Sequence, residues 1–327
     1  MKAFPCTFSL ALVTLLFSVT AQADNISVDC RPGAKGTTTI SAAVAAIAKK
    51  AAAKAIPPST ITVTGPCVEN VTVASLDNLT LQASPSGASI SDASSGNLDT
   101  VAVGTSNRFV LNGFTINGSV DCFDNSFCTL QGNTIQNSQT GYGLRSSRSR
   151  VDSVSDSISN NPSGAGILDS NQSVMLLIDD TVSNNAGNGI VVEYASLVQM
   201  ARSSTTTTVS NNAGHGVFAT AHGTVRLNHA NVTGNANDGI RVQDGSVLHT
   251  DFVAPRVNDI TGNGGAGVNL GDLAHAFFAN DGSINVTGNL SGPDVYCAGQ
   301  FAATRNVAST GGTTNCVEPN PESPKRK

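Results

Sequence analysis

Six glycines cut the middle of this chain into near-equal lengths. Gly143, Gly166, Gly189, Gly216, Gly239 and Gly267 follow one another at intervals of 23, 23, 27, 23 and 28 residues. The segments leading into them match as well: SISNNPSGAG, TVSNNAGNG, TVSNNAGHG, NVTGNANDG and DITGNGGAG. A fixed period of this size belongs to units that cannot bury an apolar face alone and must stack on their neighbours. Apolar residues alternate with others within the units, as in Gly239-Ile240-Arg241-Val242 and Val225-Arg226-Leu227, which is the period of a strand. Leucine-rich repeats would show regularly placed leucines, and helical repeats need about 33 residues or more; neither pattern is here. Short strands joined by Asn and Gly corners predict an all-β solenoid, a parallel β-helix. Each coil of about 23 residues turns three corners and rests on the next at about 4.8 Å through parallel backbone hydrogen bonds.

Composition fits such a stack. Charged residues are only 13% of the chain, so Ser, Thr, Asn and Gly must form much of its surface. The net charge is -5, and Lys and Arg are scattered apart from Arg145, Arg148 and Arg150 and the terminal Lys325-Arg326-Lys327, which leaves no basic face for nucleic acid. Residues 1–23 read as a secretory signal, with a short positive start, an apolar run LALVTLLFSV and an Ala-Gln-Ala cleavage site. The mature chain then begins near Asp24, and no later segment approaches the roughly 20 apolar residues of a membrane span. The expectation is a secreted protein, extracellular or periplasmic. Of seven cysteines Cys6 leaves with the signal, and six remain where disulfides persist. Neighbourhood in sequence pairs Cys30 with Cys67, Cys122 with Cys128 and Cys297 with Cys316, one of about fifteen possible connectivities. No CxxC pair is present, so a zinc ribbon or thioredoxin-type chemistry has no support and no metal site is assigned.

The recurrent asparagines have a structural reading. Asn and Gly tolerate the left-handed backbone that tight corners need. Asn185, Asn212, Asn235 and Asn263 share one position of the repeat, where stacked side-chain amides can bond to one another along the axis. An open stack must be capped at its ends. At the N-terminal side Ile40 to Ile56 is Ala-rich, sets Ile40, Val44, Ile47 and Ala51 at helical spacing and stops at Pro57-Pro58. This is the expected capping helix, with Thr37 to Thr39 offering N-cap hydroxyls and Lys49, Lys50 and Lys54 toward its C-terminal end. The implied organisation is a signal over 1–23, an N-terminal segment and capping helix over 24–58, a β-helix over 59–300, and a C-terminal segment with a disordered tail over 301–327.

The helix, the strand STITVTGPCV and the following ENVTV (Glu69 to Val73) together resemble the opening of the pectate-lyase-like right-handed β-helix superfamily. The resemblance covers roughly residues 37–300 and implies right-handed coils. That superfamily includes lyases, hydrolases, esterases, epimerases, tailspikes and members of no assigned reaction, so it speaks for fold and not for activity.

Candidate chemistry is sparse. Gly214-His215-Gly216 is similar to the glycine-flanked histidine of polygalacturonase-like glycosidases, which also carry an Asn-Thr-Asp, an Asp-Asp and an Arg-Ile-Lys because hydrolysis needs one carboxyl as acid and another as base. Here Asp179-Asp180 is present, Asn-Thr-Asp is absent, and Arg241-Val242-Gln243 lacks the lysine. In the repeat register His215 falls at a variable position occupied elsewhere by Tyr142, Ala165, Asn188, Asp238 and Ala266, and lies one coil from Asp238. A lyase would need a cationic base and carboxylates holding calcium. Arg145 and Arg241 share a register position, but Asp169, Glu193, Asp238 and Asp244 form no single column, and GGAGVNL at 264–270 is one altered copy of a calcium-binding nonapeptide. Only under that alternative is calcium expected; otherwise no cofactor is. What remains is a lateral stripe two residues past each key glycine, Arg145, Leu168, Val191, Phe218 and Arg241, an apolar centre between arginines on a polar surface. The reading is a protein that binds a polysaccharide or another extracellular surface along this stripe without catalysis. An enzyme acting on polysaccharides, with His215, Asp238 and Arg241 as its candidate residues, is the alternative. A structural or adhesin element is the third.

Overall fold

The computed structural model describes residues 24–36, 39–51, 58–201, 204–250, 257–281, 283–298 and 302–317. It is a parallel β-solenoid with, among the described residues, one α-helix near its N-terminus. Ten strands form the sheet referred to below as the lateral face: Val71–Ala74, Val101–Gly104, Val120–Phe123, Tyr142–Ser147, Ala165–Ser170, Ile190–Val192, Val217–Ala219, Ile240–Val242, Val268–Leu270 and Val295–Cys297. The other two faces are joined into one 20-stranded sheet, partly because Leu79–Ser91 bends from one face into the next.

Register is strict because a slip of one residue would turn the aliphatic side chains outward. Val71, Val101, Val120, Leu144, Ile167, Ile190, Val217, Ile240, Val268 and Val295 stack in one inward rank, all fully buried. Ile116, Ile135, Ile158, Val182, Val209, Val232, Ile260 and Val286 do the same from the third face. β-Branched residues suit these ranks, since their stiff side chains pack on a pleated surface at little entropic cost.

Each corner uses Asn and Gly for separate purposes. In Ser183-Asn184-Asn185 the first asparagine takes the left-handed backbone, φ 56°, and Asn211 does so at φ 55°; Gly234 and Gly262 fill the same place at φ 67° and 66°. The following asparagine turns inward and makes the ladder. Nδ2 of Asn185 donates to Oδ1 of Asn212 at 2.9 Å, Asn212 to Asn235 at 2.9 Å and Asn235 to Asn263 at 3.0 Å. Asn161 precedes the row, and Asn289 ends it by donating to Asp294 Oδ1 at 3.1 Å. The ladder asparagines and the six key glycines have no left-handed backbone, so the expected reason for them needs correcting. Those glycines are required by crowding. A Cβ on Gly216 would stand 2.6 Å from Gly239 O and Val232 Cγ1 and 2.7 Å from Asn235 Nδ2.

The helix Ile40–Ala51 covers the N-terminal end with Ile40, Ala43, Val44 and Ile47 buried. Thr39 Oγ1 caps it locally by accepting from Ala42 N–H at 3.2 Å. Glu69 reaches back from the first coil, its carboxylate accepting the N–H groups of Ile40 and Ser41 at 2.8 and 2.9 Å, where a negative charge suits the helix dipole. Thr37 and Thr38 lie outside the described residues, as do residues 52–57 with Lys54 and the predicted helix end, the signal segment and the tail from 318. Two predicted boundaries move. Asn25–Asp29 already pairs in parallel with Ser59–Val68, so the solenoid sheet begins before the helix. Ala303–Arg305 pairs with His275–Phe277, so it also extends past residue 300. A strand needs only one neighbour's backbone to pair, and the isolated end segments carry too little repeat for the pattern to reveal it. Cys30–Cys67, Cys122–Cys128 and Cys297–Cys316 are bonded, with Cα separations of 5.1, 6.6 and 5.2 Å.

Candidate functional site

The lateral face presents an outward rank that reads Thr72, Ala102, Asp121, Arg145, Leu168, Val191, Phe218, Arg241, Asn269 and Tyr296. All five stripe residues lie in it. At its N-terminal half the rank runs along the floor of a groove of about 850 Å³, which spans from Asn70 to Glu193 and includes Asp99, Asp121, Phe123, Tyr142, Arg145 and Arg148. One wall is the loop 92–99. Asp92 fastens it by accepting from Ser94 N–H at 2.7 Å, Ser94 Oγ at 2.6 Å and Asn70 Nδ2 at 2.7 Å. Partial burial pushes the Asp92 carboxyl up, but these donors outweigh it and hold it down to about 2. Leu98, on the same loop, stands 61% exposed at the rim. On the floor the Phe123 ring lies where a Cβ of Gly104 would be, 2.8 Å from it, so that glycine makes room for the ring.

A polar network organises the floor. Arg145 Nε donates to Asp121 Oδ1 at 2.9 Å and its Nη2 donates to Oδ2, a two-point pair with a carboxylate only 1% exposed. The Arg145 guanidinium carbon sits 4.9 Å from the centroid of the Tyr142 ring. The Tyr142 hydroxyl donates to Asp99 Oδ1 at 3.1 Å, and Ser119 Oγ donates to the same oxygen at 2.7 Å. Burial raises the Asp121 carboxyl, with Asp99 adding to the rise and Arg145 opposing it. Burial, with Asp99 nearby, also pushes the Tyr142 phenol well above its ordinary value. The hydrogen bonds from Arg145 to Asp121 raise the guanidinium further. At neutral pH the phenol is therefore a proton donor and not a base, and the guanidinium is locked as a cation.

The C-terminal half of the same rank is built otherwise. His215 Nδ1 lies 3.4 Å from Asp238 Oδ2, so the sequence-predicted pair does come together, but it is already engaged in holding the corner. The backbone N–H of Asp238 donates to His215 Nδ1 at 3.2 Å, which requires that nitrogen to be unprotonated. Asp238 accepts from Ala266 N–H at 2.9 Å and from Asn269 Nδ2 at 3.0 Å. Burial lowers the His215 pKa, Asp238 opposing and Arg241 assisting, so the imidazole is neutral near pH 7. Its ring stacks on Phe218 at 5.7 Å between centroids. Among the described residues Arg241 has no carboxylate in a salt bridge; Nε donates to Gln243 Oε1 at 3.3 Å, and the guanidinium extends over Gly271, whose missing Cβ would lie 3.2 Å from Nη2.

The other carboxylates weighed for a metal or lyase centre stand apart. Asp169 points into the core, fully buried; burial drives its pKa well up, with Ser146 alone opposing. Asp179 takes a left-handed corner at φ 58°, and Asp180 is inside, its Oδ1 accepting from Asp156 N–H at 2.7 Å. Glu193 is at the far end of the groove and Asp244 accepts from Thr220 Oγ1 at 2.7 Å in a turn.

Asp99, Asp121 and the role of Tyr142 were missed by the reading from sequence. That reading was anchored on glycines, and the strand Val120–Phe123 follows Asn117-Gly118-Ser119 without the later GxG pattern. The available signal was the spacing of Asp121 to Arg145, one coil, with a hydrophobic residue before each.

The fold and this lateral groove define a right-handed β-helix protein. The family model described as "Right handed beta helix region" matches residues 64–254, more than half of the chain, and the chain belongs to that family. Among solved structures it is similar to the A-module of the Azotobacter vinelandii mannuronan C-5 epimerase AlgE4, at 14% identity and a TM-score of 0.58, with 82% of each chain covered. It is also similar to pectate lyase Pel9A, at 14% identity and a TM-score of 0.59, over 87% of this chain and 79% of that one. A point mutant of the periplasmic alginate epimerase AlgG matches at 10% identity and a TM-score of 0.52, over 76% of this chain and 70% of that one. At such identities the likeness is one of fold. No curated protein sequence matches the chain. No helix among the described residues is long and apolar enough to cross a membrane.

Proposed function

We propose that this protein binds a polysaccharide along its lateral face, outside the cytoplasm, and carries out no chemistry on it. The observation that carries the reading is the groove over the strands Val71–Ala74 to Ile190–Val192, where an aromatic ring, a cation and hydrogen-bonding amides line a shallow trough parallel to the axis. An extended chain lying along the rank would meet a fresh side chain about every 4.8 Å. Leu98 and Phe123 offer apolar contact to sugar rings, while Asn97 and Arg145 offer donors. The three disulfides suit an oxidising compartment, which supports secretion or a periplasmic location.

Binding without turnover is favoured by the state of the ionisable groups. A base near neutral pH is what acid-base chemistry on a sugar needs. Tyr142 is pushed up, Asp121 is paired and His215 accepts a backbone N–H. The test is titration calorimetry of the mature protein against a panel of soluble glycans, with product assays for unsaturated ends, reducing ends and epimerised residues, each with and without calcium. Micromolar binding without product is expected. Turnover lost in His215→Ala or Tyr142→Phe would replace this reading with the enzymatic one, and absence of binding to every glycan would leave the structural or adhesin role.

A further inference from the structure

The groove's charges bear on which glycan it accepts. Among the described residues its lining carries two cations, Arg145 and Arg148. Each is already committed. Arg145 makes the two-point pair with Asp121, and Arg148 Nε donates to Asp124 Oδ1 at 3.0 Å with Nη2 on the same oxygen. The Asp121 carboxylate is nearly inaccessible, so an incoming anion that drew Arg145 away would leave it as a buried, unpaired charge. Asp99 and Glu193 also line the groove, and among the described residues neither is in a salt bridge. A carboxylate on a ligand would meet no uncompensated cation and would sit beside acidic groups, which costs affinity. Arg145 still has three of its five guanidinium N–H groups free of Asp121, and these serve hydroxyl oxygens as well as charged ones.

Resting on the binding role proposed above, we infer that Asp121 is a specificity-determining residue: by neutralising Arg145 it makes the groove a receptor for an uncharged glycan and excludes polyuronates. The cation is kept for its geometry, fixed against the Tyr142 ring at 4.9 Å, and not for its charge. Asp124 plays the same part toward Arg148 at the exposed edge.

The experiment compares wild type, Asp121→Asn and Asp124→Asn in calorimetric titrations with neutral xylo- and cello-oligosaccharides and with oligogalacturonate and oligomannuronate, at low and high salt. Circular dichroism and thermal melts check folding; Asp124→Asn, at an exposed pair, covers the case in which Asp121→Asn does not fold. Wild type is expected to bind a neutral oligosaccharide at least about tenfold more tightly than either uronate, with little salt dependence. Freeing an arginine should raise uronate affinity, about tenfold for Asp121→Asn and less for Asp124→Asn, and the gain should vanish in high salt. Tighter uronate binding by wild type, or no uronate gain in a folded variant, overturns the inference and leaves the binding role standing. Failure of wild type to bind either class removes the role and this inference together.

Discussion

Arg145 and Arg241 stand in the same rank of the same sheet, four coils or about 19 Å apart, and the molecule treats them differently. Arg145 leans back onto the coil before it, where Asp121 takes its charge; Arg241 extends over the coil after it, above Gly271, and among the described residues its hydrogen bond is to the Gln243 amide. The layer beneath differs in the same way. One of the two inward positions changes along the sheet: it reads Val73 and Val103, then Cys122, Ser146 and Asp169, then Val192, Ala219, Val242 and Leu270, while the other is aliphatic throughout. Around Arg145 the sheet has polar side chains on both faces, with Ser146 and Asp169 inside, whereas around Arg241 it rests on an aliphatic core. The difference teaches that a repeat can keep its backbone constant while stability and binding trade places along its length.

The largest effect expected from breaking this contrast is Arg145→Ala. It strands the buried Asp121 carboxylate and should cost about 2 kcal/mol, discounted from the buried-pair range because Arg145 is itself 33% exposed. Arg241→Ala should cost less than about 0.5 kcal/mol, as for a surface change with no buried partner. Urea unfolding of both at pH 7 measures the gap, and equal losses would erase the distinction.

Next comes the buried layer. Asp169 has a raised folded pKa, so its protonated form contributes stability that is fully present below the unfolded value of about 4 and is lost as pH rises toward and through the folded one. Asp169→Asn should therefore be more stable than wild type by about 1–2 kcal/mol at pH 7, with the advantage closing as pH falls to about 4. Denaturation at pH 4, 5.5 and 7 reads this; an advantage that grew toward acid would contradict it. Asp156, raised by burial to about 6 despite its donors, should add to the same trend in wild type.

Smaller still is Tyr142→Phe. It removes one hydrogen bond to Asp99 while keeping the ring, so stability should fall by about 1 kcal/mol or less and glycan affinity by about five- to tenfold. Calorimetry on the folded variant decides whether the hydroxyl or the ring matters. The least effect belongs to His215. His215→Ala should leave glycan binding unchanged. Its imidazole, followed by NMR, should titrate below a free histidine, and Asp238→Asn should push it lower because the carboxylate is what holds it up.

Much of the scaffold was readable beforehand. The glycine period located ranks that the coordinates place in register from residue 142 to residue 270, and the ladder asparagines bond to one another as their shared position implied. The pairing of Cys122 with Cys128 followed from nearness in sequence. The groove was not readable in that way. Its floor is assembled from Asp99, Asp121, Tyr142 and Arg145, which come from three successive coils, and the earliest of these lack the pattern that sets the register. Its wall depends on Asp92 gathering a loop by local hydrogen bonds, which no periodicity announces.

Side-chain alternation and a repeating length determine, without any coordinates, that this chain must wind and stack, because an aliphatic residue at every second position has nowhere dry to go except against the next coil. Those two properties also determine which residues share a column. Whether two charges in a column cancel, as Asp121 and Arg145 do, or stand off, as Arg241 does, depends on how each side chain leans and on how much water its partner has lost. Burial and direction are properties of the assembled stack, and they alone separate the groove from the rest of the face.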